Sequence, residues 1–113
     1  MRYLALYRPE AGVEGGVPEP EHMAAMGRLI EEMMKAGSLL GTEPLTPRAQ
    51  CAQVRLADGQ FTVGEVDGRM GGFAFLQANS KEEAIELTKG FLKVAGDGVT
   101  EIRQILEFGP PPA

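Results

Sequence analysis

Histidine exchanges protons most readily near neutral pH, and this chain has one, His22. It lies at the start of a predicted helix, next to a glycine-rich segment (residues 9–18) that could act as a lid. Helical spacing places His22 along the edge of an apolar stripe that includes Met26. This arrangement is compatible with a general acid or base acting on a small ligand. The simpler alternative is a surface histidine held by Glu19 or Glu21.

Four further residues are candidate ligand contacts, and each also has an ordinary structural explanation. Met26 belongs to a methionine-rich stripe that could line an adaptable pocket or fill the core. Arg55 could meet an anionic ligand if its strand face points inward, or be solvated if that face points outward. Asp67 and Arg69 form either a polar pair at the rim of a cleft or a common Asp-Gly turn.

Composition excludes several classes of protein. One cysteine (Cys51) and one histidine cannot supply the four ligands of a structural zinc site, nor can one cysteine form an internal disulfide. The sequence implies no metal and no organic cofactor, and it lacks phosphate-binding glycine motifs. A net charge of −5 argues against a nucleic-acid partner. The absence of a long apolar run or a secretory signal argues against a membrane and predicts a cytoplasmic protein.

Two predicted strands and two predicted helices must position these residues. Residues 2–8 ("RYLALYR") and 73–78 ("FAFLQA") are apolar on both faces, which predicts two central strands. Pro20 suits the first turn of a helix that ends near Gly37. A capping box of Ser80 and Glu83 predicts that a second amphipathic helix follows, over residues 80–95.

The remaining segments are less regular. Residues 39–48 carry two prolines and predict an irregular or edge segment. Residues 49–57 and 60–66 flank Asp58-Gly59, the strongest short hairpin signal in the chain. Residues 100–108 predict a half-solvated strand with Ile102, Leu106 and Phe108 on its apolar side, and residues 109–113 a flexible tail.

The predicted order is β-α-β-β-β-α-β, a ferredoxin-like α+β layout with both helices on one face of a sheet, in a single domain over residues 1–108. Two helices cover only one face, yet both central strands are apolar on both sides. We therefore expect a second sheet to cover the other face in a homodimer.

Several stretches of the chain resemble the YCII-related (DGPF) family. They are "RYLALYR", "KAGSLLGTEPL", "VRLADGQFTV" and "GGFAFLQANSKEEAIEL", and the similarity extends from about Arg2 to Phe108. The resemblance implies a dimeric α/β barrel built from two ferredoxin-like subunits. It also implies small-molecule enzymes of the muconolactone or dehydrochlorinase kind, or regulatory proteins that accompany sigma factors.

The resemblance carries one candidate catalytic residue over to this chain. In one branch of the family a His–Asp pair is the proposed active site, and His22 in "EHM" matches the position of its histidine. Lys89 stands where the aspartate would be, and "DGRMGGF" replaces the D-G-P-F stretch.

Two functions follow as alternatives. The first is a small-molecule enzyme that uses His22 as acid and base on a lactone-like or other cyclic organic substrate. The second is a non-catalytic dimer that binds a ligand or a regulatory partner protein. The histidine and the glycine-rich segment favour the first, whereas the missing aspartate favours the second.

Overall fold

The computed structural model describes residues 1–10, 20–66 and 70–107. Most of the glycine-rich segment, the Asp67–Arg69 pair and the tail predicted over residues 109–113 lie outside the described residues. The described elements are strand β1 (Arg2–Pro9), helix α1 (Pro20–Lys35), strands β2 (Leu39–Pro44), β3 (Gln53–Ala57), β4 (Gln60–Gly64) and β5 (Gly72–Gln77), helix α2 (Lys81–Ala95) and strand β6 (Gly98–Gln104).

Four of the strands form one antiparallel sheet in the order β2-β5-β1-β6. Strands β1 and β5 each have a neighbour on both sides, which confirms the prediction of two central strands. Helices α1 and α2 pack against each other and against the edge strands β2 and β6, respectively. The architecture is the ferredoxin-like α+β fold that the sequence predicts.

Local residue chemistry sets the ends of both helices. Helix α1 begins at Pro20 and ends at Lys35, two residues before Gly37, whose φ of 79° is in the left-handed region that favours glycine. The amides of Gly37 and Ser38 donate to the carbonyls of Met34 and Met33, the hydrogen-bond pattern of a Schellman motif. At α2, the Ser80 hydroxyl accepts a 3.1 Å hydrogen bond from the Glu83 amide, as the capping box predicts.

The hairpin is the main departure from the predicted sheet. Among the described strands, β3 and β4 pair only with each other. The strand beside β5 is instead β2, within the segment predicted to be irregular or an edge. The Thr42 hydroxyl fastens β2 to β5 by donating to the Phe73 carbonyl at 2.8 Å. Pro44 is tolerated because β2 lies at the sheet edge, where one side of the strand needs no ladder bonds.

The hairpin carries an exposed apolar face. Register pairs Val54 with Val63 and Leu56 with Phe61, so these four side chains share one side of the hairpin. Each is between 61% and 72% exposed. Strand β6 also ends earlier than predicted, at Gln104, and Leu106 is 74% exposed rather than packed.

The buried core is small and lies on the helix-facing side of the sheet. It consists of Tyr3, Ala5, Leu39, Leu76, Ala78 and Ala84. Ile30, Met33, Leu87 and Ile102 pack against it, but no residue of α1 is itself buried. Helix α1 therefore does not close tightly over the sheet, and space remains beneath it.

The opposite side of the sheet is also apolar. Register places Leu4 beside Phe75 and Leu6 beside Phe73, on the side of β1 and β5 that faces away from the core. The rings of Phe73 and Phe75 meet edge to face, with centroids 5.7 Å apart. No described helix covers these side chains, and we call this surface the open face. None of the described helices is long and apolar enough to cross a membrane.

Candidate functional site

A cavity of about 530 Å³ lies between the two helices and the sheet. Small residues make room for it: Ala5, Gly72 and Ala74 line it from the sheet, and Gly27 lines it from α1. A β-carbon at Gly27 would meet no atom within 4 Å, which shows how much space lies beside the helix. The volume is within the range typical of small-molecule sites.

The cavity brings together two of the predicted site residues. His22 and Met26 both line it, and each is partly buried on α1, one turn apart. Among the described residues, no hydrogen bond or ion pair holds His22 to another side chain. The alternative in which Glu21 holds the histidine therefore has no contact to support it, and Glu19 lies outside the described residues.

The methionine stripe divides between the cavity, the core and solvent. Met26 and Met33 line the cavity, and Met33 also packs against the buried core. Met23 lines the cavity as well but is 56% exposed, and Met34 is 53% exposed and does not line the cavity. The stripe therefore combines both predicted roles.

Of the other candidate ligand contacts, only Arg55 lies in the part of the chain that the structure describes. Arg55 is exposed on the β3–β4 hairpin and does not line the cavity, because that hairpin lies outside the sheet. Within one chain Arg55 therefore does not contact the cavity, and its role as a ligand contact stays a prediction. Asp67 and Arg69 lie outside the described residues.

A carboxylate partner for His22 is also missing from the described lining. No aspartate or glutamate lines the cavity among the described residues. Lys89, at the position implied for an aspartate, is exposed on α2 and pairs with Glu86 at 3.0 Å. A His–Asp pair within the described part of one chain is therefore not formed.

An aromatic residue outside the predicted set of site residues also contributes to the lining of the cavity. Tyr7 on β1 lines the cavity, and its ring meets Phe91 of α2 edge to face at a centroid distance of 5.3 Å. Its hydroxyl donates to the Asp97 carbonyl at 3.4 Å. Burial, followed by the Asp97 carboxylate, raises the pKa of Tyr7 above its ordinary value of 10.0, so the hydroxyl stays protonated at neutral pH.

Strand alternation is the signal that could have found Tyr7. Tyr3, Ala5 and Tyr7 occur at every second position of β1 and so share one face. Placing the helices on that face would have put Tyr7 beside them. Thr100, opposite Tyr7 on β6, also lines the cavity, and its buried Oγ1 has no hydrogen-bond partner among the described residues.

The fold is similar to that of a known enzyme. The chain matches the structure of 5-chloro-2-hydroxyhydroquinone dehydrochlorinase (TftG) from Burkholderia phenoliruptrix AC1100, in complex with 2,5-dihydroxybenzoquinone. The TM-score is 0.57 and the sequence identity 17%, over 96% of each chain. No protein-family model and no curated protein matches the sequence. At 17% sequence identity, the similarity shows a shared fold only.

Proposed function

We propose that this chain is a YCII-like enzyme that binds a small cyclic organic molecule in the cavity and uses His22 as its acid and base. One observation carries the proposal. The chain's single histidine lines a cavity of about 530 Å³, and no described residue forms a hydrogen bond with its side chain. An unengaged imidazole at a cavity is placed to exchange protons with a ligand.

The lining argues for an uncharged ligand. Among its described residues, His22 is the only one with an ionisable nitrogen, and no lysine, arginine or carboxylate contributes to the wall. A charged ligand would lose its hydration without gaining a counterion, which is costly in an apolar site. A neutral ring compound such as a lactone would gain most of its binding free energy from contact with the apolar walls. The fold shared with a dehydrochlorinase of a hydroxylated ring supports this substrate class.

In this proposal His22 takes a proton from a C–H or O–H group of the bound ring and returns it to another atom of the same ligand. The apolar walls hold the ring against the imidazole and exclude water, which strengthens the interaction between the two. No described carboxylate fixes the tautomer of the imidazole, so either nitrogen is available to act as the base.

We further propose that two copies pack through their open faces. Leu4, Leu6, Phe73 and Phe75 form a contiguous apolar surface across the two central strands, opposite the face that the helices cover. Monomers rarely expose an apolar patch at the centre of a sheet, because burying it is favourable at about 25 cal/mol per Å². A second sheet is the occupant that matches its shape.

The alternative is a dimer that binds a ligand or a regulatory partner without catalysis. One observation favours it: the position implied for the catalytic aspartate holds Lys89, which faces solvent and pairs with Glu86. A histidine without a carboxylate partner still serves as a hydrogen-bonding group in a binding site. Measurable turnover of a bound lactone by the wild type would favour the enzyme, and binding without turnover would favour the non-catalytic dimer.

Blocking the cavity tests the site itself. We expect Gly27→Leu to weaken binding of phthalide, a neutral bicyclic lactone, about tenfold or more, because its side chain projects into the space beside α1. Gly90→Leu is the matched control. Gly90 is also a helical glycine with no atom within 4 Å of an added β-carbon, but it does not line the cavity.

Both substitutions raise helix propensity by a similar amount, so a difference in affinity reports the cavity and not the helix. Isothermal titration calorimetry with phthalide gives the two dissociation constants. Equal affinities of Gly27→Leu, Gly90→Leu and the wild type would contradict the proposed binding site.

A further inference from the structure

Tyr7 is held in a slot between two glycines. A β-carbon at Gly71 would lie 2.9 Å from Cδ2 of the Tyr7 ring, and one at Gly98 would lie 2.8 Å from Cε1 on the other edge. Real β-carbons do not come this close to a neighbouring atom. Glycine on either side therefore lets the ring lie between the starts of β5 and β6, where a larger residue would displace it.

Two more contacts fix the ring where it lines the cavity. Phe91 meets it edge to face at an interplanar angle of 86°, which restricts rotation of both rings. The Tyr7 carbonyl accepts a 2.7 Å hydrogen bond from the Gly71 amide, which fastens the backbone beneath the ring. The ring is therefore a rigid wall of the cavity and not a mobile side chain.

The hydroxyl at the tip of this ring is only weakly engaged. Its contact with the Asp97 carbonyl is 3.4 Å long, well beyond the 2.7–2.8 Å usual for a hydroxyl donor. The hydroxyl also keeps its acceptor capacity, since it receives no hydrogen bond from a described residue. A ligand oxygen that comes within about 2.8 Å would be a better partner than the carbonyl.

From this geometry we propose that Tyr7 orients the ligand by donating its hydroxyl to a carbonyl oxygen on the ring. The assignment rests on the proposed function, because it needs a ligand in the same cavity. It adds the requirement that the ligand carries a carbonyl oxygen attached to its ring, as a lactone does. Phe91 and Tyr7 supply the apolar walls beside that acceptor, and His22 lies on the facing helix.

A matched pair of probes tests the hydrogen bond. Phthalide and phthalan share one bicyclic frame and differ in the carbonyl oxygen alone. We expect the Tyr7→Phe variant to bind phthalide about three- to tenfold more weakly than the wild type, the effect of one neutral hydrogen bond. Its affinity for phthalan should equal that of the wild type, because the ring stays in its slot.

Tyr3→Phe is the control variant. It also removes one phenolic hydroxyl from β1, but Tyr3 is buried in the core, does not line the cavity, and contacts the Met1 sulfur through its hydroxyl. Both affinities should be unchanged in that variant. Selective loss of phthalide affinity in Tyr7→Phe alone supports the assignment, and equal phthalide affinity in Tyr7→Phe and the wild type overturns it while leaving the cavity site standing.

The infrared carbonyl band of bound phthalide gives a second readout that a merely structural role would not move. A hydrogen bond from Tyr7 lowers the stretching frequency in the wild type, and Tyr7→Phe should return it to a higher value. A carbonyl band in the wild type at the frequency of phthalide in an apolar solvent would overturn the assignment. If neither probe binds the wild type, the ligand site fails and the Tyr7 assignment fails with it.

Discussion

A chain carrying Leu6→Asp should have the mass of one 12.1 kDa subunit at micromolar concentration, where the wild type should have twice that mass. Leu6 lies beside Phe73 at the centre of the open face, with Glu101 opposite it on β6. In the proposed dimer the new carboxylate would be buried against apolar side chains and close to a glutamate. An unpaired buried charge costs several kcal/mol, which weakens association by about a thousandfold or more.

Leu106→Asp is the matched control for this variant. It makes the same chemical change at a side chain that is 74% exposed and lies beyond the end of β6. Light scattering coupled to size exclusion gives the three masses, and circular dichroism confirms that each variant is folded. A wild type with the mass of one subunit, or an undiminished dimer of Leu6→Asp, would contradict the open-face assembly.

The His22→Ala variant should lose about 100-fold or more in turnover, because removal of a positioned acid or base typically costs between 10² and 10⁴ in rate. The melting temperature should stay nearly constant, since His22 is only partly buried and has no described hydrogen bond to lose. A suitable first substrate is an unsaturated γ-lactone, whose conversion is followed by absorbance.

Glu21→Ala controls for the neighbouring position, because Glu21 is exposed in the first turn of α1 and does not line the cavity. It should leave turnover unchanged. Partial recovery of the His22→Ala activity by free imidazole would identify the missing group as a proton acceptor and donor. Equal turnover of His22→Ala and the wild type would contradict the acid–base role and favour the binding function.

Much of the fold follows from local sequence signals. Apolar residues on both faces of "RYLALYR" and "FAFLQA" predict strands with neighbours on both sides, and β1 and β5 have them. Ser80 and Gly37 predict the helix ends because a hydroxyl cap and a left-handed glycine act within one turn of the chain.

The placement of the hairpin could not be predicted in the same way. Asp58 and Gly59 both have positive φ, at 51° and 76°, so the turn signal correctly predicts that β3 and β4 pair. Whether that pair joins the sheet depends on competition for the edge of β5, which Leu39–Pro44 occupies. This is a long-range contact, and the alternation within a strand carries no information about it. The sequence therefore leaves open whether Arg55 meets a ligand or solvent, and in the structure of one chain it is exposed and does not line the cavity.

Only part of the candidate site could be predicted from the sequence. Helical spacing places His22 and Met26 on one side of α1, and both line the cavity. The cavity itself depends on how far α1 stands from the sheet, a distance that small residues such as Ala5 and Gly72 permit but that their sequence pattern does not reveal. Tyr7 required both its strand face and the two distant glycines that flank its ring.

Methyl NMR of the methionines during a phthalide titration tests the central claim, that the cavity between α1 and the sheet binds a small ring compound. Met26 and Met33 line that cavity, whereas Met34 of the same helix is exposed, does not line it and serves as an internal reference. We expect the methyl signals of Met26 and Met33 to shift together with saturating behaviour while that of Met34 stays in place. Saturable binding that leaves both cavity methyl signals unmoved would contradict the claim.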